Sequence, residues 1–450
     1  MAQVYPFRAF RYNTENAHAP YDKLLTQPYD KISTAMQERY YAADPHNLIA
    51  VEKGRAYPND GAGNNVYTRA AAALQDWIAK ALVTQDAAPA FYGYTQEYTV
   101  PGTEERRTRR GFIGAGKLEE YSAGVVFRHE HTLSGPKADR LEMLRNTKMH
   151  TGQLFMLYAD PARRVDRLLE EAEAGAKPVT EMRDEYDVVH RLWMFAEPKL
   201  VAGIQEAMSD QKLVIADGHH RYETALNYRN ERRAAAGKSD ADAPYERAMM
   251  TFVNTHSEGL TILPTHRVAA RLHDFDWTEM RRHLEPWFAA EAFAFHGEAS
   301  KREARGKFLA RLVAAKDRRA IGVYPVAPDG KQAFYILTVR PGADLARLLP
   351  GVSPLQRALD VVLLHDGILE PALGITPQSL VAEANLTYER EAAAALEAVD
   401  SGAAQLAFLL NACDVAQVME IATSGEVMPQ KSTDFFPKLM SGIAMYRVDG

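Results

Sequence analysis

Apolar and polar residues alternate with two different periods along this chain, and together they predict strands interspersed with helices. Alternation of aromatic and β-branched residues is clearest at 91–100, which predicts a strand whose hairpin partner is 110–116. Because strands and helices follow one another without a strict repeated period, the pattern favours a mixed α+β fold over a Rossmann or TIM-barrel arrangement. Apolar spacing predicts further helices at 33–42, 66–81, 137–150, 165–174 and 198–208, and further strands at 153–158, 186–195 and 212–216.

The composition changes after residue 267, where alanine- and arginine-rich amphipathic helices are predicted at 277–290 and 300–316. We therefore expect a domain boundary near residue 270, with regions 1–270 and 271–450. The second region is predicted to contain strands at 320–325, 333–340 and 404–411, and helices at 353–368, 390–400 and 415–422.

The segment 425–438 is polar and aromatic and contains two prolines. It is interpreted either as a closing segment or lid that presents Lys431 and Ser432, or as an ordered tail pinned by Phe435 and Phe436. The pattern alone leaves both interpretations open.

Composition narrows the class of protein. The apolar fraction of 46% is ample for packed cores, and the net charge of −6 leaves no general basic surface, so no nucleic-acid partner is expected. The run 106–110 is a local basic exception, interpreted as the solvated arm of a hairpin, with contact to RNA or an acidic partner as the alternative. The single cysteine, Cys413, excludes an intramolecular disulfide and is expected to be a buried, inert thiol.

Targeting signals are also considered. The first residues lack the pattern of a signal peptide, and no stretch of about 18 apolar residues occurs. We therefore expect a cytoplasmic protein without a membrane partner, and a homo-oligomer is left open.

The run Asp217-Gly218-His219-His220-Arg221 is the densest cluster of titratable groups, at the end of an apolar strand and the start of a helix. Backbone N–H groups and the helix dipole favour a phosphate there, and Gly218 lets that phosphate approach the backbone closely. Arg221 can donate hydrogen bonds to two phosphate oxygens at once. The alternative is a helix capped by Asp217, with two solvated histidines and an ordinary surface arginine.

A second candidate is Asp30, which follows Pro28 and Tyr29 in a loop. Its carboxylate can bind Mg²⁺ or take the proton of a substrate hydroxyl. The alternative is that Asp30 caps the helix beginning near Ser33.

A third cluster surrounds the start of the helix predicted at 137–150. Lys137 and Arg140 lie on one helical face and can clamp phosphates, whereas Glu130 and Asp139 can hold a metal ion or pair with these cations. Mutual ion pairing without any ligand is the alternative.

A histidine metal site is the competing idea, because His129, His131, His219, His220 and His266 can in principle converge. Nothing in their spacing specifies zinc, since adjacent histidines point to different sides of the chain and no H-E-x-x-H motif occurs. The standard dinucleotide and P-loop glycine motifs do not occur either.

Seven short motifs are spread over nearly the whole chain. They are Gln27-Pro28-Tyr29-Asp30-Lys31-Ile32-Ser33, Asn47-Leu48-Ile49, 129–141, 215–225, Leu263-Pro264-Thr265-His266-Arg267, 428–433 and Phe435-Phe436-Pro437-Lys438. These motifs and their order give the chain a resemblance to the bacterial and archaeal family catalogued as domain of unknown function 1015. That family is similar to the ParB/sulfiredoxin superfamily and includes free-serine kinases. The chain departs from the family pattern at Lys31, where a hydrophobe is common, and at Asp434, where an aromatic residue is usual.

The resemblance implies a ParB/sulfiredoxin-like core that binds nucleotide or phosphate in region 1–270 and a second α/β domain after it. With the clusters above, it predicts a kinase that uses ATP or ADP with Mg²⁺ to phosphorylate a small hydroxylated metabolite, a serine-like hydroxyl being favoured. The alternatives are a ParB-like nucleotide switch, a metallohydrolase with a histidine site, and a scaffold with a vestigial site.

Residue roles follow from this prediction. Asp30 and Glu130 are the candidate bases and metal ligands, and His219 and His220 are counted with them as catalytic. The residues expected to bind the nucleotide are Asp217, Gly218, His219, His220, Arg221, Lys137 and Arg140.

Overall fold

The computed structural model describes residues 1–130, 134–237, 240–326, 332–376 and 385–449. These residues form two compact units, of which unit 1 comprises Met1–Thr261 with Phe435–Gly450 and unit 2 comprises Ile262–Asp434. Whether regions 1–270 and 271–450 fold independently stays a prediction. His131, a candidate metal ligand, lies outside the described residues.

Unit 1 contains twelve strands before residue 261 among its described residues, and nine helices. The strands are β1 (Val4–Tyr5), β2 (Phe10–Tyr12), β3 (Val83–Gln85), β4 (Phe91–Thr99), β5 (Arg106–Lys117), β6 (Val126–Phe127), β7 (Met149–His150), β8 (Leu154–Tyr158), β9 (Thr180–Arg183), β10 (Val189–Phe195), β11 (Leu213–Asp217) and β12 (Arg247–Asn254). The helices are α1 (Thr14–Ala17), α2 (Tyr21–Leu24), α3 (Thr34–Ala43), α4 (Ile49–Glu52), α5 (Val66–Ala79), α6 (Ser134–Thr147), α7 (Arg164–Glu173), α8 (Pro198–Met208) and α9 (His219–Ala236).

A nine-stranded mixed sheet organises unit 1, in the order β6-β11-β8-β12-β5-β4-β10-β9, with β1 paired to β5. Strand β8 is a continuous apolar run and every residue of it is buried, as expected for a strand covered on both faces. Helices α7, α8 and α9 supply Leu169, Ile204 and Tyr222 to the core over this sheet. The predicted mixed α+β fold is confirmed.

The predicted hairpin is also confirmed, because β4 pairs with β5 in an antiparallel register that extends to Thr99 opposite Arg106. The expectation of a solvated arm at 106–110 holds for Arg106, which is exposed, and is wrong for Arg109, which is only 2% exposed. Alternate residues of a strand face opposite sides of a sheet, so one basic run supplies both exposed and buried side chains.

Unit 2 is built on a six-stranded sheet in the order β15-β17-β16-β19-β14-β18. Its strands are β14 (His266–Ala269), β15 (Phe288–Ala294), β16 (Ala320–Pro325), β17 (Ala333–Val339), β18 (Leu386–Glu389) and β19 (Leu406–Leu410). Its described helices are α10 (Trp277–Leu284), α11 (Gly297–Ala314), α12 (Leu345–Leu348), α13 (Pro354–Arg357), α14 (Asp360–Leu364), α15 (Glu370–Leu373), α16 (Ala392–Asp400) and α17 (Val415–Thr423). The remaining strands are β13 (Thr261–Leu263), β20 (Asp434–Phe436) and β21 (Tyr446–Arg447).

Two helix predictions in unit 2 are wrong in extent. The helix predicted at 277–290 ends at Leu284, and β15 follows, because Pro286 disfavours helical backbone at the residue before it. The helix predicted at 353–368 is divided into α13, α14 and a π-helical segment, His365–Leu369.

The segment 425–438 and Cys413 are only partly as expected. Phe435 and Phe436 are buried, as in a pinned tail, and Ser432 is buried too, whereas Lys431 is exposed. Cys413 is half-buried rather than buried, and its thiol lies 3.5 Å from the carbonyl oxygen of Ser432. A lid movement of this segment stays a prediction. None of the described helices combines the length and apolar character that a bilayer-spanning segment needs.

Candidate functional site

The turn between β11 and α9 forms as the sequence predicts, but its cap differs. Asp217 is the last residue of the strand, and Gly218 caps the 18-residue helix with a φ of +97° and no side-chain hydrogen bond. The alternative in which Asp217 caps the helix is therefore wrong. The first N–H groups of a helix have no acceptor within it, so this turn carries the polar groups that an anion needs.

Asp217 is held instead by two cations of unit 1. Its Oδ2 lies 3.0 Å from Lys438 Nζ, and its Oδ1 lies 3.5 Å from Arg221 Nη2. Burial by itself would raise the pKa of Asp217, but the charges of Lys438, Arg221 and Lys31 outweigh it and hold the pKa well below its ordinary value. Asp217 is thus an ionised carboxylate at neutral pH, and it lies between the positive charges of Lys438 and Arg221.

Arg221 is not the ordinary surface arginine of the alternative, because its side chain is only 16% exposed. Nη1 donates a hydrogen bond to the carbonyl of Gln153. Burial would lower the pKa of Arg221, but the negative charges of Asp217 and Asp30 outweigh it and raise the pKa. A charged guanidinium with further donors is therefore fixed at the turn, and the carboxylate of Asp30 lies within electrostatic reach of it.

The two histidines of the turn have different surroundings. His219 is buried, with its ring centroid 4.7 Å from that of His129, whose Nδ1 donates to the carbonyl of Ile215 at 2.7 Å. Burial lowers the pKa of both His129 and His219, so both rings are neutral. The alternative of two solvated histidines is therefore wrong for His219, while His220 is half-buried. Glu130 is half-buried, and its Oε1 lies 3.8 Å from His129 Nε2.

A cleft in unit 1, partly open to solvent, brings together residues that are distant in sequence. Arg140 lies over the ring of Tyr29 at 4.2 Å and donates to the backbone carbonyl of Glu52 at 3.0 Å. The cleft is lined by Tyr29, Glu52, Arg140, Met143, Leu144, Met149, His150, Thr151, Gly152, Leu154, Arg221 and Thr224. Two predicted phosphate ligands, Arg140 and Arg221, therefore reach one cleft.

Lys137 is placed differently from Arg140, although both were expected to clamp phosphates. Its Nζ lies 2.8 Å from Oε2 of Glu223 on α9. Arg140 also pairs with Asp139, at 2.6 Å. Arg140 thus pairs with Asp139, as in the alternative, while Lys137 pairs with Glu223. Arg140 also lines the cleft.

Asp30 is exposed within a single 3₁₀ turn, Tyr29–Lys31. The alternative that it caps α3 is wrong, because Ser33 is the cap and accepts the N–H of Met36 at 3.2 Å. Its carboxylate therefore remains accessible from solvent, within electrostatic reach of Arg221.

Sequence reasoning missed Glu52 and Lys438. Glu52 is 3% exposed and accepts hydrogen bonds from the Tyr29 N–H, from Thr151 at 2.6 Å and from Ser441 at 3.0 Å. The available signal was a carboxylate directly after the apolar run 49–51, which forms the last turn of α4. Lys438 stands in the motif Phe435-Phe436-Pro437-Lys438, but nothing local indicates its partner Asp217, which is 221 residues away in the sequence.

Within the described residues, no group of three or more His, Cys, Asp or Glu side chains is placed to hold a metal ion. Mg²⁺ bound with a nucleotide requires only one or two protein carboxylates, because phosphates and water supply the other oxygens. The accessible carboxylate of Asp30 fits that requirement.

His150 gives the cleft a pH-dependent stability. Burial and the charge of Arg221 lower the pKa of His150 to about 4, and its Nδ1 accepts the N–H of Met249 at 3.3 Å. Because this value lies below the 6.5 of an unperturbed histidine, the unfolded chain binds more protons once the pH falls below that value. The free energy of unfolding should therefore decrease as the pH falls from 6.5 towards 4.

Urea unfolding at a series of pH values tests this, and His150→Gln should reduce the slope. Burial also lowers the pKa of His266 to about 4 and that of His365 to about 3, so part of the slope should persist. An identical slope in His150→Gln would contradict the assignment.

Comparisons with known proteins give one match to a family. The model described as a protein of unknown function (DUF1015) matches residues 4–362, and no curated protein matches the chain. Three similar solved structures are a conserved hypothetical protein from Pyrococcus furiosus, a free serine kinase in complex with AMP, and SbnI with a C-terminal truncation from Staphylococcus aureus.

The three structures are 15%, 14% and 10% identical to this chain, with TM-scores of 0.32, 0.32 and 0.34. The alignments cover 72%, 72% and 73% of this chain and 92%, 88% and 85% of the respective structures. The family match runs from the start of β1 into α14.

Proposed function

The chain belongs to the DUF1015 family of proteins of unknown function, and we propose that unit 1 is a nucleotide-dependent phosphotransferase. Its acceptor is proposed to be a small hydroxylated metabolite, with a serine-like hydroxyl favoured. ATP or ADP is the proposed phosphoryl donor.

The observation that carries the proposal is the position of Arg221 at the turn. Its buried guanidinium lies where β11 ends, Gly218 adopts a positive φ, and the N-terminus of α9 begins. Helix N-termini bind phosphate through backbone N–H groups and the helix dipole, and an arginine fork adds charge-assisted hydrogen bonds. These are the elements of a phosphate site.

Phosphoryl transfer requires mainly alignment of the reactants and neutralisation of charge. In the proposal, the N–H groups of His219 and His220 and the guanidinium of Arg221 bind phosphate oxygens. Arg140, which lines the same cleft as Arg221, adds positive charge. Lys137, paired with Glu223, is assigned no phosphate.

Asp30 is the proposed acceptor of the hydroxyl proton, because it is exposed and its charge acts on Arg221. Glu130, beside His129, is the second candidate base. Mg²⁺, when bound with the nucleotide, would screen the phosphate charges, with Asp30 as its protein ligand.

The direct test is incubation of the purified protein with ATP or ADP, Mg²⁺ and a mixture of hydroxylated metabolites that includes serine. Mass spectrometry should detect a phosphorylated product that depends on both the nucleotide and Mg²⁺. Nucleotide binding without any product would support the switch alternative, whereas one equivalent of tightly held zinc by elemental analysis would support the hydrolase.

Asp30→Asn should abolish most of the transfer while leaving the fold intact. Loss of a general base lowers the rate by roughly 10²- to 10⁴-fold, and the exposed position of Asp30 predicts an unchanged unfolding midpoint. Asp22→Asn, on neighbouring α2, removes another exposed carboxylate and is the matched control. Full activity in Asp30→Asn would exclude Asp30 as both base and metal ligand.

A further inference from the structure

The C-terminal segment of unit 1, residues 435–440, is held by two buried side chains of the β4–β5 hairpin. Gln96 and Arg109 lie directly opposite each other in the strand register. Arg109 donates to the carbonyl of Phe436 at 3.2 Å and to that of Pro437, and Gln96 Nε2 donates to the carbonyl of Lys438 at 2.7 Å. The carbonyls of three successive residues are therefore fixed, and the last of them belongs to Lys438 itself.

Arg109 and Gln96 also fix each other. Arg109 Nε donates to Gln96 Oε1 at 3.1 Å, and the guanidinium lies 4.6 Å from the ring centroid of Phe155. Burial lowers the pKa of Arg109 to about 10, so the guanidinium remains charged at neutral pH. A buried charge requires a well-formed set of hydrogen bonds, and here these bonds go to the segment that carries Lys438.

The same segment is joined to Arg221 through Gln153. The side-chain amide of Gln153 donates to the carbonyl of Met440 at 2.9 Å, while its backbone carbonyl accepts from Arg221. Lys438 Nζ then reaches Asp217 Oδ2 at 3.0 Å. The segment 435–440 thus carries Lys438 itself and is connected to Arg221 through Gln153.

We propose that Gln96 and Arg109 are positioning residues, which fix the backbone of 436–438 so that the ammonium of Lys438 contacts both Asp217 and the phosphates of a bound nucleotide. The proposal rests on the proposed function of the turn. A free lysine side chain has many rotamers, and a fixed backbone with Asp217 as anchor reduces the entropy lost when it binds an anion. Lys438 is then a ligand of the phosphates, and Gln96 acts only through it.

A double-mutant cycle tests whether Gln96 affects nucleotide binding through Lys438. Gln96→Met and Lys438→Met should each weaken ADP and ATP binding by roughly 10-fold in calorimetry, the size expected for one charge-assisted hydrogen bond. The double variant should bind no more weakly than Lys438→Met, because Gln96 has no effect once Lys438 is gone. Losses that multiply in the double variant would overturn the proposal.

Gln205→Met is the matched control. It also removes a hydrogen bond from a glutamine to a backbone carbonyl, that of Val4 at 2.9 Å, and it should leave nucleotide affinity unchanged. Arg109→Met removes a buried charge and is expected to destabilise unit 1 more than Gln96→Met, which removes only the Gln96 acceptor of Arg109. Gln96→Met therefore carries the test, and its unfolding midpoint is measured beside its nucleotide affinity.

Hydrogen exchange of the protein without nucleotide tests whether Gln96 holds the segment, independently of whether Lys438 binds phosphate. The peptide covering 435–440 should exchange faster in Gln96→Met and at the unaltered rate in Lys438→Met. Unaltered exchange in Gln96→Met would overturn the positioning role. If the unaltered protein binds neither ADP nor ATP, the proposed function fails and Lys438 loses its phosphate role, while the exchange rates still decide whether Gln96 holds the segment.

Discussion

Arg221→Ala should weaken nucleotide binding by about 1.5–3 kcal/mol, the range for hydrogen bonds to a charged group. The side chain is nearly buried at the turn, and its charge is maintained by Asp217 and Asp30. The substitution removes a proposed phosphate ligand whose guanidinium is held in place by the carbonyl of Gln153. Calorimetric titration of the folded variant with ATP and ADP measures the loss.

Two further variants make this result specific. Arg221→Lys retains the charge but not the planar fork, and should recover only part of the affinity. Arg183→Ala removes an exposed arginine paired with Asp187 at 2.8 Å, and should bind nucleotide as the unaltered protein does. If Arg221→Ala binds with unchanged affinity, the turn is not the phosphate site.

Local periodicity was sufficient to predict most elements of the sheet in unit 1. The strands β4, β8 and β11 and the helices α7 and α8 begin or end within a few residues of the prediction, because their apolar patterns are strong and short. The prediction of a helix over 277–290 was wrong in extent, because it gave more weight to the alanine-rich pattern than to Pro286. The helix ends at Leu284, before that proline.

The site was predictable only where its residues are adjacent in sequence. The turn 217–221 can be recognised from the sequence alone, because an apolar strand, a glycine and a helix follow one another directly along the chain. Burial of Arg109 and the contact of Lys438 with Asp217 were not predictable, because their partners lie hundreds of residues away. A basic residue has the same local pattern whether it faces solvent or a distant chain segment, so only the tertiary structure distinguishes the two.

Gly218→Ala should both destabilise unit 1 and weaken nucleotide binding. The φ of +97° is strained for a residue with a side chain, at a cost of about 1–2 kcal/mol. A Cβ at this position would lie 3.0 Å from Leu154 and 3.2 Å from the guanidinium carbon of Arg221. Alanine would therefore shift the Arg221 guanidinium and the Leu154 side chain by a few tenths of an ångström, in addition to straining the backbone.

The same helix supplies a control for the strain. Gly237 ends α9 at a φ of +67°, and a Cβ there would meet nothing within 4 Å. Gly237→Ala should lower the midpoint of denaturant unfolding without changing nucleotide affinity, whereas Gly218→Ala should lower both. The difference in affinity between the two variants then measures what the displaced guanidinium contributes. Equal affinities would indicate that neither the Gly218 backbone nor the placement of Arg221 matters for phosphate binding.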